Sequence, residues 1–155
     1  MSKKQQFSSF SKRLTRDNSM TIFVTFYAGV LNLDTGHLCY CNAGHKAPYM
    51  LSDSDSCSTL TVKRQLPVGA MPDVAYTQQE VMLAPGTTLF LYTDGLDKAE
   101  NAQRQMFGKE RIQEVLRTTS PEPKTLISQM TQAVSHFVGD TEQSDDLTML
   151  ALQYL

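Results

Sequence analysis

Thr88-Leu89-Phe90-Leu91-Tyr92-Thr93-Asp94-Gly95-Leu96 is the stretch that decides the fold. Its first five residues are too apolar for an edge strand facing water, so they read as a central strand of a sheet. Asp94 stands where that strand ends, and Gly95 lets the backbone turn sharply and leaves room for a ligand or ion. A carboxylate at the mouth of a buried strand is held rigidly and desolvated on one side. Ser144-Asp145-Asp146-Leu147-Thr148 is its counterpart, placed just before Met149-Leu150-Ala151-Leu152, which reads as a second buried strand. Brought together by the fold, two such loops form a hard-oxygen site for Mg²⁺ or Mn²⁺ and point to metal-assisted phosphate chemistry.

Each loop also has a plainer reading. Asp94 alone fits an Asx turn capping its strand, and Asp145 with Asp146 fits a solvated acidic turn. Adjacent carboxylates repel unless a cation or donor compensates them. Successive residues can point to opposite sides, so one of the pair is expected to face a metal and the other to satisfy loop donors.

Working outward, Thr21 to Leu33 reads as a long strand, Asp34-Thr35-Gly36 as a hairpin turn and His37 to Cys41 as the return strand. Pro48 to Leu51 and Thr59 to Val62 are short extended segments, separated by a polar turn over Ser52 to Ser58. Ala75 to Leu83 alternates as a strand does, and Pro85-Gly86 turns it back into Thr88 to Tyr92. The period then changes. Phe107-Gly108 opens a helix with Ile112, Val115 and Leu116 on one face. Pro121 opens another, with Leu126, Ile127, Met130, Val134 and Phe137 at spacings of three and four, closed by Gly139-Asp140. Many antiparallel strands, two helices and a final strand predict an α+β fold. Residues 1–19 read as a polar N-terminal segment or linker, with Phe7, Phe10 and Leu14 at helical spacing.

The 155 residues suit one domain, with 41% hydrophobic and 19% charged residues. A net charge of -2 gives no argument for nucleic acid or an anionic membrane, and no apolar run is long enough for a membrane span. The N-terminal lysines precede no apolar stretch, so no secretory signal is read there. Three cysteines, Cys39, Cys41 and Cys57, lack metal-ligand spacing and read as small core residues of a reducing compartment, which predicts a cytoplasmic location. Met71, Met82, Met106 and Met149 read as core filler. His45 lies in the Asn42-Ala43-Gly44 loop and could orient phosphate or relay a proton; a turn histidine bonded to backbone is the simpler reading. His37 and His136 read as surface residues.

Five motifs occur in order: Asn42-Ala43-Gly44-His45-Lys46-Ala47-Pro48, Leu66-Pro67-Val68-Gly69, Leu89 to Leu96, Phe107-Gly108-Lys109-Glu110-Arg111, and Asp145-Asp146-Leu147-Thr148-Met149-Leu150. Together they resemble the metal-dependent PPM (type-2C) serine/threonine phosphatases and, among these, the bacterial SpoIIE-like branch, over about residues 20–155. The resemblance implies an antiparallel β-sandwich flanked by helices, with two Mg²⁺ or Mn²⁺ ions at one end. It implies hydrolysis of phosphoserine or phosphothreonine by a metal-activated water, with no covalent intermediate. Carried over by motif, Asp94 is one metal ligand and catalytic residue and Asp145 the other; Asp146 joins the metal set in a loop-stabilising position, and Gly95 and His45 are accessory. In relatives the substrate is typically a phosphorylated anti-sigma-factor antagonist.

The family also carries an earlier Gly-Asp motif whose aspartate bridges the two metals, and it is not found here. The acids before Asp94 are Asp17, Asp34, Asp53, Asp55, Asp73 and Glu80. The expectation is a partial SpoIIE-like domain over 20–155 that lacks the first strands. Its metal binding should then be weak or absent, its turnover small, and its exposed sheet edge should favour a homodimer. A catalytically inactive interaction module is the alternative.

Overall fold

The computed structural model describes residues 22–52, 57–141 and 145–155. In chain order the elements are β1 (Phe26–Leu31), β2 (His37–Ala43), β3 (Tyr49–Leu51), β4 (Cys57–Thr59), β5 (Gln79–Met82), β6 (Thr88–Tyr92), α1 (Asp94–Asp97), α2 (Gly108–Thr118), α3 (Pro123–Val138) and β7 (Met149–Gln153). The fold is α+β with antiparallel sheets, as the sequence predicts. The chain divides into two compact units, Met1–His45 with Thr61–Leu83, and Lys46–Leu60 with Ala84–Leu155.

The first unit is a three-stranded sheet in the order β1-β2-β5. The hairpin turn forms because the Asn32 side chain accepts the Asp34 and Thr35 amides at 2.9 and 3.1 Å. Leu31 then pairs with Leu38, and the register runs on to Phe26 opposite Ala43. A small core gathers Cys41, Ala43, Val68 and Tyr76. The strand expected from Thr21 is shorter, because Val24 exchanges both backbone hydrogen bonds with Val68, at 2.9 Å each, before β1 begins.

The second unit is a four-stranded sheet in the order β4-β3-β6-β7. β6 is central, with β3 on one side and β7 on the other. Tyr49, Leu51, Phe90 and Tyr92 share a core with Ile112 and Leu116 of α2 and Leu126, Met130 and Val134 of α3. The apolar residues of each helix recur four apart, so one stripe meets the core. Phe90, Ile112, Leu126 and Met130 have no exposed surface. The Glu122 carboxylate caps α3 by accepting the Lys124 and Thr125 amides at 3.1 and 2.6 Å. The Gly139 amide closes the helix on the Ser135 carbonyl at 3.0 Å.

Several expectations are corrected. The closing strand is only half buried: β7 is the last strand of its sheet, Met149 and Ala151 pack against the core, and Leu150 and Leu152 remain 56% and 42% exposed. Met71, Met82 and Met106 are exposed, whereas Met149 packs partly buried against the core as expected and Met130 lies fully inside it. Period alone cannot tell which apolar residues a sheet has enough partners to cover. α3 starts after Pro121 because Glu122 takes the capping position. β4 comes earlier than Thr59 to Val62, and β5 is shorter than Ala75 to Leu83. The helix α1 was not foreseen. The helical spacing of Phe7, Phe10 and Leu14 lies outside the described residues. Among these, no helix is long and apolar enough to cross a membrane.

Met130→Ala should cost about 2–5 kcal/mol, because it opens a cavity in the core between the helices and the sheet. Urea unfolding would read it as a fall in midpoint without a change in slope.

Candidate metal site at the acidic loops

The site is built where β6 hands the chain to α1 beside the entry to β7. Thr93, the N-cap of α1, forms no side-chain cap. Its hydroxyl instead donates to the Asp146 carbonyl at 3.2 Å and accepts the Thr148 amide at 3.1 Å. Its own amide donates to the Thr148 carbonyl at 3.0 Å. Gly95 is buried against the same segment: a Cβ there would collide with the Asp146 carbonyl oxygen. The two acidic loops are thus packed backbone to backbone, and any side chain at position 95 has to displace the Asp146 backbone.

Asp94 opens α1 with its side chain 44% exposed. Its Oδ2 accepts the Lys98 ammonium at 2.6 Å, and its Oδ1 lies 3.2 Å from Lys46 Nζ. The hydrogen bond from Lys98, then that from Lys46, holds the carboxyl below its ordinary range. Lys46 also donates to Asp97 Oδ2 at 2.8 Å. Burial works against the Lys46 ammonium, but the hydrogen bonds and charges of Asp97 and Asp94 outweigh it and raise its pKa. Asp97 is almost fully buried, and its Oδ1 has no hydrogen-bond partner among the described residues. Beneath them Tyr92 stacks on Tyr49, and burial followed by the Tyr49 charge raises the Tyr92 phenol.

Asp145 and Asp146 are exposed. Asp145 Oδ1 accepts the Asp146 amide at 2.8 Å, so the first acid of the pair serves its own loop. Asp146 meets the Thr93–Gly95 turn through its carbonyl. His45 lies in the other unit. Its amide and carbonyl are bracketed by the Asn42 side chain at 2.9 Å each, and its Nδ1 stands 3.3 Å from Thr25 Oγ1.

The oxygen donors of Asp94, Asp97, Asp145 and Asp146 suit a hard divalent cation. The orphaned Asp97 Oδ1 is the kind of buried anionic oxygen a cation satisfies. In donor chemistry, though not as a preassembled ligand set, these residues suit such an ion. The carboxylates of Asp94, Asp145 and Asp146 are not gathered as three ligand atoms within 4.8 Å of one another; among the described residues only His37, Cys39 and Glu80 are. An ion at the acidic loops would keep several waters. Sequence reasoning missed Lys46, Lys98 and Asp97. Lys98 was legible as the i+4 partner of Asp94 once a helix is drawn from Asp94. Lys46 was not, because it comes from a distant loop.

Residues 2–155 match the family described as Stage II sporulation protein E (SpoIIE), and the chain belongs to it. Protein IcfG of Synechocystis sp. (strain ATCC 27184 / PCC 6803 / Kazusa) is 29% identical over 138 residues, which cover 89% of this chain and 22% of that protein. The SiaA-PP2C domain of Pseudomonas aeruginosa superposes with a TM-score of 0.68 at 26% identity, covering 93% of this chain and 58% of that one. The PP2C phosphatase domain of the cell fate determinant SpoIIE from Bacillus subtilis, with a fragment of its regulatory domain, gives 0.79 at 14% identity, covering 99% and 44%. The chain thus spans less than two thirds of each.

Gly95→Ala should cost about 1–3 kcal/mol, because the new methyl group must push the Asp146 carbonyl away. Thermal unfolding would show a lowered Tm, and an unchanged Tm would mean the loops are not in contact. The Asp94 carboxyl is depressed in the folded state, so its stabilisation is complete above the unfolded value of about 3.9 and is lost as pH falls through the folded value. Removing its strongest partner in Lys98→Ala should move the Asp94 titration upward toward that unfolded value. Carboxyl-carbon NMR would follow it, and an unmoved titration would take Lys98 off Asp94.

Proposed function

We propose that the chain is part of a metal-dependent protein serine/threonine phosphatase. Its substrate would be a phosphorylated protein, such as an anti-sigma-factor antagonist in sigma-factor control. The carrying observation is the Thr93 staple, which fixes the Thr-Asp-Gly turn against the Asp-Asp loop. Family membership and the similarity to the SiaA-PP2C domain support the same reading.

In this reading Asp94 and Asp145 hold Mg²⁺ or Mn²⁺, with Asp146 beside them and Asp97 supplying further negative charge. When bound, the cation acidifies water and neutralises phosphoryl charge. The chain's own residues do the positioning. Thr93 and Gly95 hold the two loops in register. Lys46 stays with buried Asp97 as Asp94 turns to the cation. Lys98, exposed on α1, is free to exchange Asp94 for a phosphoryl oxygen.

One observation favours a second reading. Asp94 already carries two ammonium partners, Lys46 and Lys98. A domain in that state would bind a partner protein without turnover.

Calorimetric titration with Mn²⁺, alongside hydrolysis of a phosphoserine protein, separates the two. The phosphatase reading expects Mn²⁺ binding that is lost in Asp94→Asn and hydrolysis above the buffer rate with Mn²⁺; the second reading expects no hydrolysis above it. Binding that persists in Asp94→Asn would remove Asp94 from the site. Absence of any Mn²⁺ binding would leave the partner-binding reading.

A further inference from the structure

The first unit holds a cluster of side chains outside the acidic loops. His37 and Cys39 are two residues apart on β2, so they project from one face of the sheet. Glu80 of β5 stands directly opposite Cys39 in the antiparallel register. His37 Nε2 lies 3.3 Å from Glu80 Oε2, and His37 Nδ1 lies 3.9 Å from Cys39 Sγ. One ligand atom from each of the three falls within 4.8 Å of the other two. Glu80 Oε1 accepts the Gln78 amide at 3.1 Å, which leaves Oε2 to the imidazole.

We propose that His37, Cys39 and Glu80 form a binding site for a borderline-soft divalent metal of the Zn²⁺ class. One imidazole nitrogen, one thiolate and one carboxylate are a mixed set that zinc takes and that Mg²⁺ does not. Two adjacent strands hold the three donors in a fixed register, so little ordering is needed on binding. His37 and Cys39 are half-buried and Glu80 is exposed, which leaves the fourth position to water or an exogenous ligand. On binding, the Cys39 thiol gives its proton to solvent and a metal–sulfur bond forms. The metal ties β5, a short strand of four residues, to β2 at a second point beyond their backbone bonds. Its donors differ from those of the acidic loops, so Mg²⁺ does not compete for it.

Titration of the untagged full chain with Co²⁺ tests the site. The expected spectrum is the visible pattern of a four-coordinate ion with a near-ultraviolet sulfur-to-metal charge-transfer band, abolished by Zn²⁺ but not by Mg²⁺. Cys39→Ser should remove that band, and His37→Gln and Glu80→Gln should each weaken binding at least about tenfold. Circular dichroism reports whether the variants remain folded, and Glu80→Gln is the arm least able to unfold the chain, because Glu80 is exposed. Cys57→Ser should keep the band. Cobalt uptake without a thiolate band, loss of the band in Cys57→Ser, or wild-type binding by a folded Glu80→Gln would overturn the proposal.

Discussion

The structure around the acidic loops depends on one contact, the seating of the Thr93–Gly95 turn on the Asp146 carbonyl. Carboxylates carried at the ends of two strands converge only if the strand ends are held together. Backbone pairing of β6 with β7 runs from Thr88 opposite Gln153 to Tyr92 opposite Met149 and stops there. Beyond that point Thr93 continues the ladder with both its backbone and its hydroxyl. Each of these hydrogen bonds is worth only about 1 kcal/mol. Their effect is geometric, because they remove the freedom the loops would otherwise have.

The position of that contact is set from below. Phe90, fully buried, and Tyr92 anchor β6 to the helices, so the strand cannot slide without exposing the core. The charges above are then arranged around a fixed origin. Lys46 bridges Asp94 and the buried Asp97, and a pair of this kind gives little net stability, since desolvation offsets much of its attraction. Removing Lys46 would nonetheless strand Asp97 inside the protein.

The recurring motifs have local physical causes. In Asn42-Ala43-Gly44-His45 the buried Asn42 amide makes two bonds across the turn, and a Cβ at Gly44 would stand 2.8 Å from the Pro67 ring. The Asn-Ala-Gly-His and Leu-Pro-Val-Gly segments are therefore in close contact in this chain. In Phe107-Gly108-Lys109-Glu110-Arg111 the buried Phe107 meets Phe137 edge to face, while the Arg111 guanidinium lies 4.5 Å from the centroid of the same ring. These motifs are legible as strings because each spacing closes a compact contact.

The sequence alone determined the α+β class, the central place of β6, the two long helices and the loops that carry the acids, because strand and helix periods and turn residues are local properties. Tertiary structure decided which apolar residues are covered, so Leu150, Leu152 and three methionines stayed exposed. It also decided that Lys46 would meet Asp94 and Asp97, and that Glu80 would face His37 and Cys39. Those partners are distant in the chain, and only the register between strands and the folding back of loops brings them within bonding distance.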